Sequence, residues 1–184
     1  EKTPAYLLAI ASGFLLFGFN PVSPYLISAF FGLGFMIAFY LLGQELGIGK
    51  RTTFWGVMFL SLLPNFIYQN FLQTRIEFPL AFFITLCWVF LLRGIKNKDN
   101  KPVFFAGIIA GIATLFKSSG PGYITWGILI FLAFPEKYIQ INFKDRLKLS
   151  LIFFWGAVLS CGWHFFANLG QMLSYYTTWG NAKA

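Results

Sequence analysis

Long apolar runs separated by short polar turns dominate this chain, and several of the runs are too long for a soluble core. Residues 20–44 and 54–74 carry no charge at all. At ~1.5 Å per residue, a helix of some twenty residues crosses a ~30 Å hydrocarbon layer. The pattern predicts spanning helices over 24–44, 54–72, 78–94 and 149–167, the second kinked at Pro64. Residues 5–19 (AYLLAIASGFLLFGF) are apolar but only fifteen long, about 22 Å as a helix, which predicts an interfacial or poorly spanning segment. Gly47-Ile48-Gly49 before Lys50 and Arg51 predicts a tight turn.

The stretch Pro102–Pro135 holds thirty-four residues and one charge, Lys117. One unbroken helix there would run about 51 Å, longer than any tilt accommodates. Ser118-Ser119-Gly120-Pro121-Gly122 breaks it, so two short helices are expected to meet at Lys117, below the membrane surface. Irregular backbone is tolerated at that depth only where protein lines a cavity. Gly107 and Gly111 form a GxxxG, read as helix packing rather than a dimer face.

Composition supports the membrane reading. The chain is 58% apolar, 21% aromatic and only 11% charged, against about 25% charge in soluble domains, with mean hydropathy +0.69. Cys87 and Cys161 both lie inside apolar runs and predict packing rather than a disulfide or a zinc site. The net charge of +8 does not imply nucleic acid, because the basic residues follow loop parity instead of forming a stripe. Ten of them (Lys50, Arg51, Arg93, Lys96, Lys98, Lys101, Lys137, Lys144, Arg146 and Lys148) fall in loops of one parity, which predicts the cytoplasmic face and contact with membrane lipids.

The opposite face is nearly bare of charge, and what remains there is the candidate chemistry. Arg75 and Glu77 end one hairpin and Lys117 the next, with His164 near the same side. Arg as a planar fork and Lys as a point charge can grip a phosphate, and a neighbouring carboxylate can orient or deprotonate a hydroxyl. The competing reading is an interfacial Arg75–Glu77 ion pair with Lys117 snorkelling to water. His164, between Trp163 and Phe165, fits interfacial packing as well as substrate contact.

These elements occur in a recognisable order. "EKTPAY…LLFG", "YLLGQELGIGKR", "LSLLPNFIYQNFLQTRIEFPLAFF" and "GIIAGIATLFKSSGPGYI" together resemble the polyprenyl-phosphate-sugar glycosyltransferases of the GT-C fold. Within these they resemble the lipid A aminoarabinose transferase and protein O-mannosyltransferase group. The resemblance covers nearly the whole chain. Glu1-Lys2-Thr3-Pro4 resembles the Glu-Lys-Pro element whose lysine meets the lipid phosphate, with Thr3 where that pattern has Pro. Arg75-Ile76-Glu77 resembles the acidic motif of the second outer loop, and Lys117-Ser118-Ser119-Gly120 a Lys-Gly element with two extra serines.

The resemblance implies an all-α polytopic membrane protein, a GT-C-like transmembrane helix bundle. Residues 1–184 would be one module, with 1–19 juxtamembrane and about six transmembrane helices over 20–184. It implies sugar transfer from a polyprenyl-phosphate donor to a lipid, glycan or protein acceptor on the outer face of what is expected to be a prokaryotic plasma membrane. Lys2, Arg75 and Lys117 would hold the lipid phosphate, Glu77 would be catalytic, and Glu1 and His164 would stand nearby. No metal ligand set is identified, although a divalent metal is compatible because related groups differ on it. The family's base, an Asp in the first outer loop, would precede Glu1, so a piece of a longer enzyme is expected. The rival reading is a non-enzymatic membrane protein, such as a flippase, transporter or assembly subunit, since broken helices beside a charge also mark transporters.

Overall fold

A computed structural model describes residues 4–71, 76–117, 120–133 and 141–181. Among the described residues there are eight helices and no strand: α1 (Pro4–Phe17), α2 (Ser23–Glu45), α3 (Lys50–Leu62), α4 (Pro64–Phe71), α5 (Glu77–Asn97), α6 (Asn100–Phe116), α7 (Gly120–Ala133) and α8 (Phe143–Asn181). Three are long and apolar enough to cross a bilayer unaided: α2, α5 and the Phe143–Asn168 part of α8. The chain is an all-α polytopic membrane protein. Large apolar side chains such as Phe30, Leu33, Phe54, Trp55 and Phe59 point outward, as a lipid-facing surface requires.

Local chemistry sets the helix ends. The α2–α3 turn forms as its glycines predict: Gly47 takes φ +77°, while the Gly47 and Ile48 N–H groups donate to the Gln44 and Gly43 carbonyls, a Schellman closure. The run expected as one kinked span over 54–72 divides instead at Leu63, which is extended (φ −63°, ψ 127°). Pro64 has no N–H for the Leu60 carbonyl, crowds it, and disfavours helical backbone at the preceding residue. The Leu63 N–H takes that carbonyl instead, at 3.2 Å. The basic stretch Arg93–Lys101, expected as a solvated loop, is mostly helix. Only Lys98 and Asp99 separate α5 from α6, and the Asp99 carboxylate caps α6 by accepting from the Lys101 N–H at 2.9 Å. The last helix starts six residues before the expected boundary at 149, because Asn142 caps it. Its side-chain oxygen accepts from the Asp145 N–H at 2.8 Å, and its carbonyl accepts from the Arg146 N–H at 3.1 Å.

The core centres on α6. Its small residues Ala106, Gly107, Ala110, Gly111 and Ala113 are buried. A Cβ at Gly107 would strike the Phe153 carbonyl, one at Gly111 would strike Ser160 and the Ala157 carbonyl, and one at Gly156 would strike the Phe104 carbonyl. These pairings rise together along both helices, so α6 and α8 run parallel in backbone contact. The GxxxG is therefore an internal seam. On the other flank, Leu80, Cys87 and Leu91 of α5 close against Val103, Ala106 and Ala110. Cys87 and Cys161 are both buried free thiols.

Ion pairs show which helix ends lie together. Arg93 at the end of α5 meets Glu45 at the end of α2, N–O 2.8 Å, and Lys96 donates to the Glu45 carbonyl. Arg146 in the first turns of α8 is buried and donates to the Phe131 and Leu132 carbonyls (3.3 and 2.9 Å) at the end of α7, where the helix dipole is negative. The ends of α2, α5 and α7 and the starts of α6 and α8 thus gather at one basic pole. Glu77 and Lys117 stand at the other pole. The distance is about 30 Å, given the twenty-one residues of α5 from Glu77 to Asn97.

The seam makes a direct prediction. Gly107→Leu drives a side chain into the backbone of α8 and should destabilise the chain by about 1–3 kcal/mol or more. Gly56→Ala, in α3 where a Cβ meets nothing within 4 Å, should be neutral or stabilising by about 0.5–1 kcal/mol. Thermal unfolding in detergent distinguishes the two.

Candidate functional site: an ion pair at a helix break

The break falls where the sequence places it. α6 ends at Phe116, and Lys117 is extended (φ −152°, ψ 132°), so the chain leaves the helix axis before α7 begins at Gly120. Glu77 is the first residue of α5. The Lys117 ammonium and a Glu77 carboxylate oxygen stand 3.3 Å apart, as an ion pair and hydrogen bond between residues forty apart in sequence. Each charge also sits at the helix end that favours it, the carboxylate at an N-terminus and the ammonium at a C-terminus.

Aromatic rings pack beneath the pair. Phe116, next to Lys117, stacks on Phe83 at 5.2 Å and meets Phe31 edge-on at 5.8 Å. Phe78, next to Glu77, meets Phe66 edge-on at 5.1 Å. Offset and edge-on ring pairs hold geometry as well as bury surface, so the backbones carrying both charges rest on a rigid floor. The charged side chains themselves stay open, 42% exposed for Lys117 and 46% for Glu77. A solvated pair of this kind contributes about 0–1 kcal/mol. Its contribution to folding is small, and both charges are free to trade partners.

Glu77 and Lys117 are thus brought together. The alternative partner for Glu77, Arg75, lies outside the described residues, as do Glu1 and Lys2. The segment following Lys2 is nevertheless held at this pole: α1 lies across the first turns of α2, with Gly13 against Ile27. Tyr6, Ala9 and Ile10 share a crevice with Pro24, Ile27 and Pro79, the last two residues from Glu77. His164 reaches the same pole, since the α6–α8 register sets it level with the end of α6. Its contacts run along its own helix, to Asn168 (Nδ1 to Nδ2, 3.3 Å) and to the Trp163 ring at 5.6 Å. Among the described residues, no three His, Cys, Asp or Glu side chains group as metal ligands. One carboxylate already paired with a lysine is a poor cation holder. Sequence reasoning missed Glu45, whose signal was two basic residues one turn apart, Arg93 and Lys96. It also missed the aromatic floor, because phenylalanine is too frequent here for any one to stand out.

Compared with known proteins, the chain matches the dolichyl-phosphate-mannose-protein mannosyltransferase family over residues 1–163. No individual curated protein and no solved structure matches it. The bundle is therefore that of a membrane glycosyltransferase of GT-C type. The chain belongs to the dolichyl-phosphate-mannose-protein mannosyltransferase family. The match includes Glu77 and Lys117 and stops one residue short of His164.

The openness of the pair predicts its energetics. Lys117→Met and Glu77→Gln should each shift stability by no more than about 1 kcal/mol. Chemical denaturation of the two variants measures this, and a loss of several kcal/mol would show the pair to be structural.

Proposed function

We propose that the pole bearing Lys117 and Glu77 binds the phosphate of a polyprenyl-phosphate sugar and passes the sugar to an acceptor hydroxyl. The observation that carries the reading is the solvated Lys117–Glu77 pair at a helix break, opposite the basic pole. The positive-inside rule supports a cytoplasmic basic pole, and with it a site on the outer face. Six crossings satisfy this arrangement: α2, α3 with α4, α5, α6, α7 and α8, with α1 as a juxtamembrane helix.

In this mechanism Lys117 exchanges Glu77 for the donor phosphate. Lys2 precedes a helix held at this pole and Arg75 lies two residues before Glu77, so both are candidates to join it on the same anion. The acceptor oxygen attacks the anomeric carbon. The bond from that carbon to the phosphate oxygen breaks, and its electron pair stays on the phosphate. Lys117 stabilises this growing charge, and each well-placed group of this kind is worth about 2.7–4 kcal/mol in the transition state. Glu77, released from Lys117, orients the acceptor hydroxyl toward the base that takes its proton, the role the resemblance gives to an Asp preceding Glu1. The donor's isoprenoid chain would lie in lipid beside the bundle, and the acceptor, whether lipid, glycan or protein, would approach from outside.

Sugar transfer in proteoliposomes, measured with a polyprenyl-phosphate donor, tests the assignment. Lys117→Ala should lower turnover about a hundredfold or more. Glu77→Gln should lower it with little change in donor affinity. Unchanged turnover in Lys117→Ala would remove the lysine from the mechanism.

A further inference from the structure

At the basic pole, far from Glu77 and Lys117, the turn between α5 and α6 and the start of α8 enclose a pocket of about 270 Å³. Lys98, Asn100, Asn142, Asp145 and Lys148 supply its polar lining, and Ile95 and Leu149 an apolar wall. We propose that this pocket binds the headgroup of an anionic glycerophospholipid from the adjoining leaflet, with the phosphodiester between Lys98 and Lys148.

Some of the charges around this pole are already committed. Arg93 and Lys96 are committed to Glu45, and Arg146 to the end of α7. Lys98 and Lys148 are in no ion pair among the described residues, yet both line one cavity. The field of the α8 N-terminus adds to theirs, while that of α6 is already met by the Asp99 carboxylate. Lys98 adopts φ +52°, the one positive φ outside glycine among the described residues. Glycine or asparagine would fit that turn with less strain, so the lysine is held there at a local cost.

The rest of the lining argues for a lipid over a bare ion. The Asp145 carboxylate repels inorganic phosphate, but it can accept from a headgroup hydroxyl a few bonds away from the phosphodiester. Asn100 and Asn142 add neutral polar groups. Ile95 and the buried Leu149 give the glycerol and first acyl carbons an apolar surface continuous with the core. A polar headgroup followed by hydrocarbon matches that sequence of linings.

The test is native mass spectrometry of the chain released from phosphatidylcholine nanodiscs containing phosphatidylglycerol. The phosphatidylglycerol retained is compared across the wild-type chain, Lys98→Asn/Lys148→Gln, and Lys50→Ala/Arg51→Ala, which removes equal charge from the same pole outside the pocket. Asparagine suits the positive φ at position 98, and circular dichroism checks that the fold persists. At about fivefold per lysine, the pocket variant should bind about twenty-fivefold more weakly, the Lys50/Arg51 variant should resemble wild type, and Lys98→Arg/Lys148→Arg should retain the lipid. Equal loss in both charge-removing variants would reduce the effect to diffuse surface charge and overturn the site. Displacement of phosphatidylglycerol by millimolar inorganic phosphate would overturn the lipid in favour of a free phosphate. Neither readout depends on glycosyl transfer.

Discussion

The backbone contact between α6 and α8 is the constraint on which the rest depends. Three glycines, Gly107, Gly111 and Gly156, leave room for carbonyls where any other residue would place a Cβ. Lipid offers no hydrophobic drive between helices, so such close approach supplies van der Waals contact that larger side chains would prevent. It fixes the height of α6 relative to the longest helix in the bundle. Because α6 is only 17 residues long, about 25 Å, fixing its height also fixes the depth at which it ends. Lys117 is delivered at that point, and α5, packed on the other flank, brings Glu77 to the same level.

Charge is partitioned accordingly. At the basic pole several charged groups near the helix ends have structural partners: Glu45 joins two parallel helices, and Arg146 satisfies the carbonyls that end α7. At the other pole, the pair joining α5 to α6 is half open to solvent. A protein stabilised by seams and caps can leave such a pair uncommitted, and an ammonium with one weakly held carboxylate can accept a phosphate at little cost to the fold. The phenylalanines below it confine the movement to the two side chains.

Much of this was legible in the sequence, for identifiable reasons. The length of 102–135 against the thickness of a bilayer forces a break, and Ser-Ser-Gly-Pro-Gly locates it, so Lys117 stood out on length alone. The Gly47 turn and the internal role of Gly107 and Gly111 follow from local backbone rules. Features that depend on partners distant in sequence were harder to read. Spacing offered Glu77 a partner two residues away, whereas the geometry supplies one forty residues away. Asn142 and Asp99 cap helices inside stretches whose lysines looked like loop, because a basic run reads as solvated unless its caps are noticed. Pro64 separates two helices rather than bending one, and nothing in the surrounding apolar run signals the difference.

The central claim is that Lys117 exchanges Glu77 for a lipid phosphate. A structure of the protein with a polyprenyl phosphate bound tests it most directly. The account predicts the phosphate within hydrogen-bonding distance of the Lys117 ammonium, with the Glu77 carboxylate turned away from that lysine. A phosphate bound elsewhere, with the Lys117–Glu77 pair still closed, would contradict it.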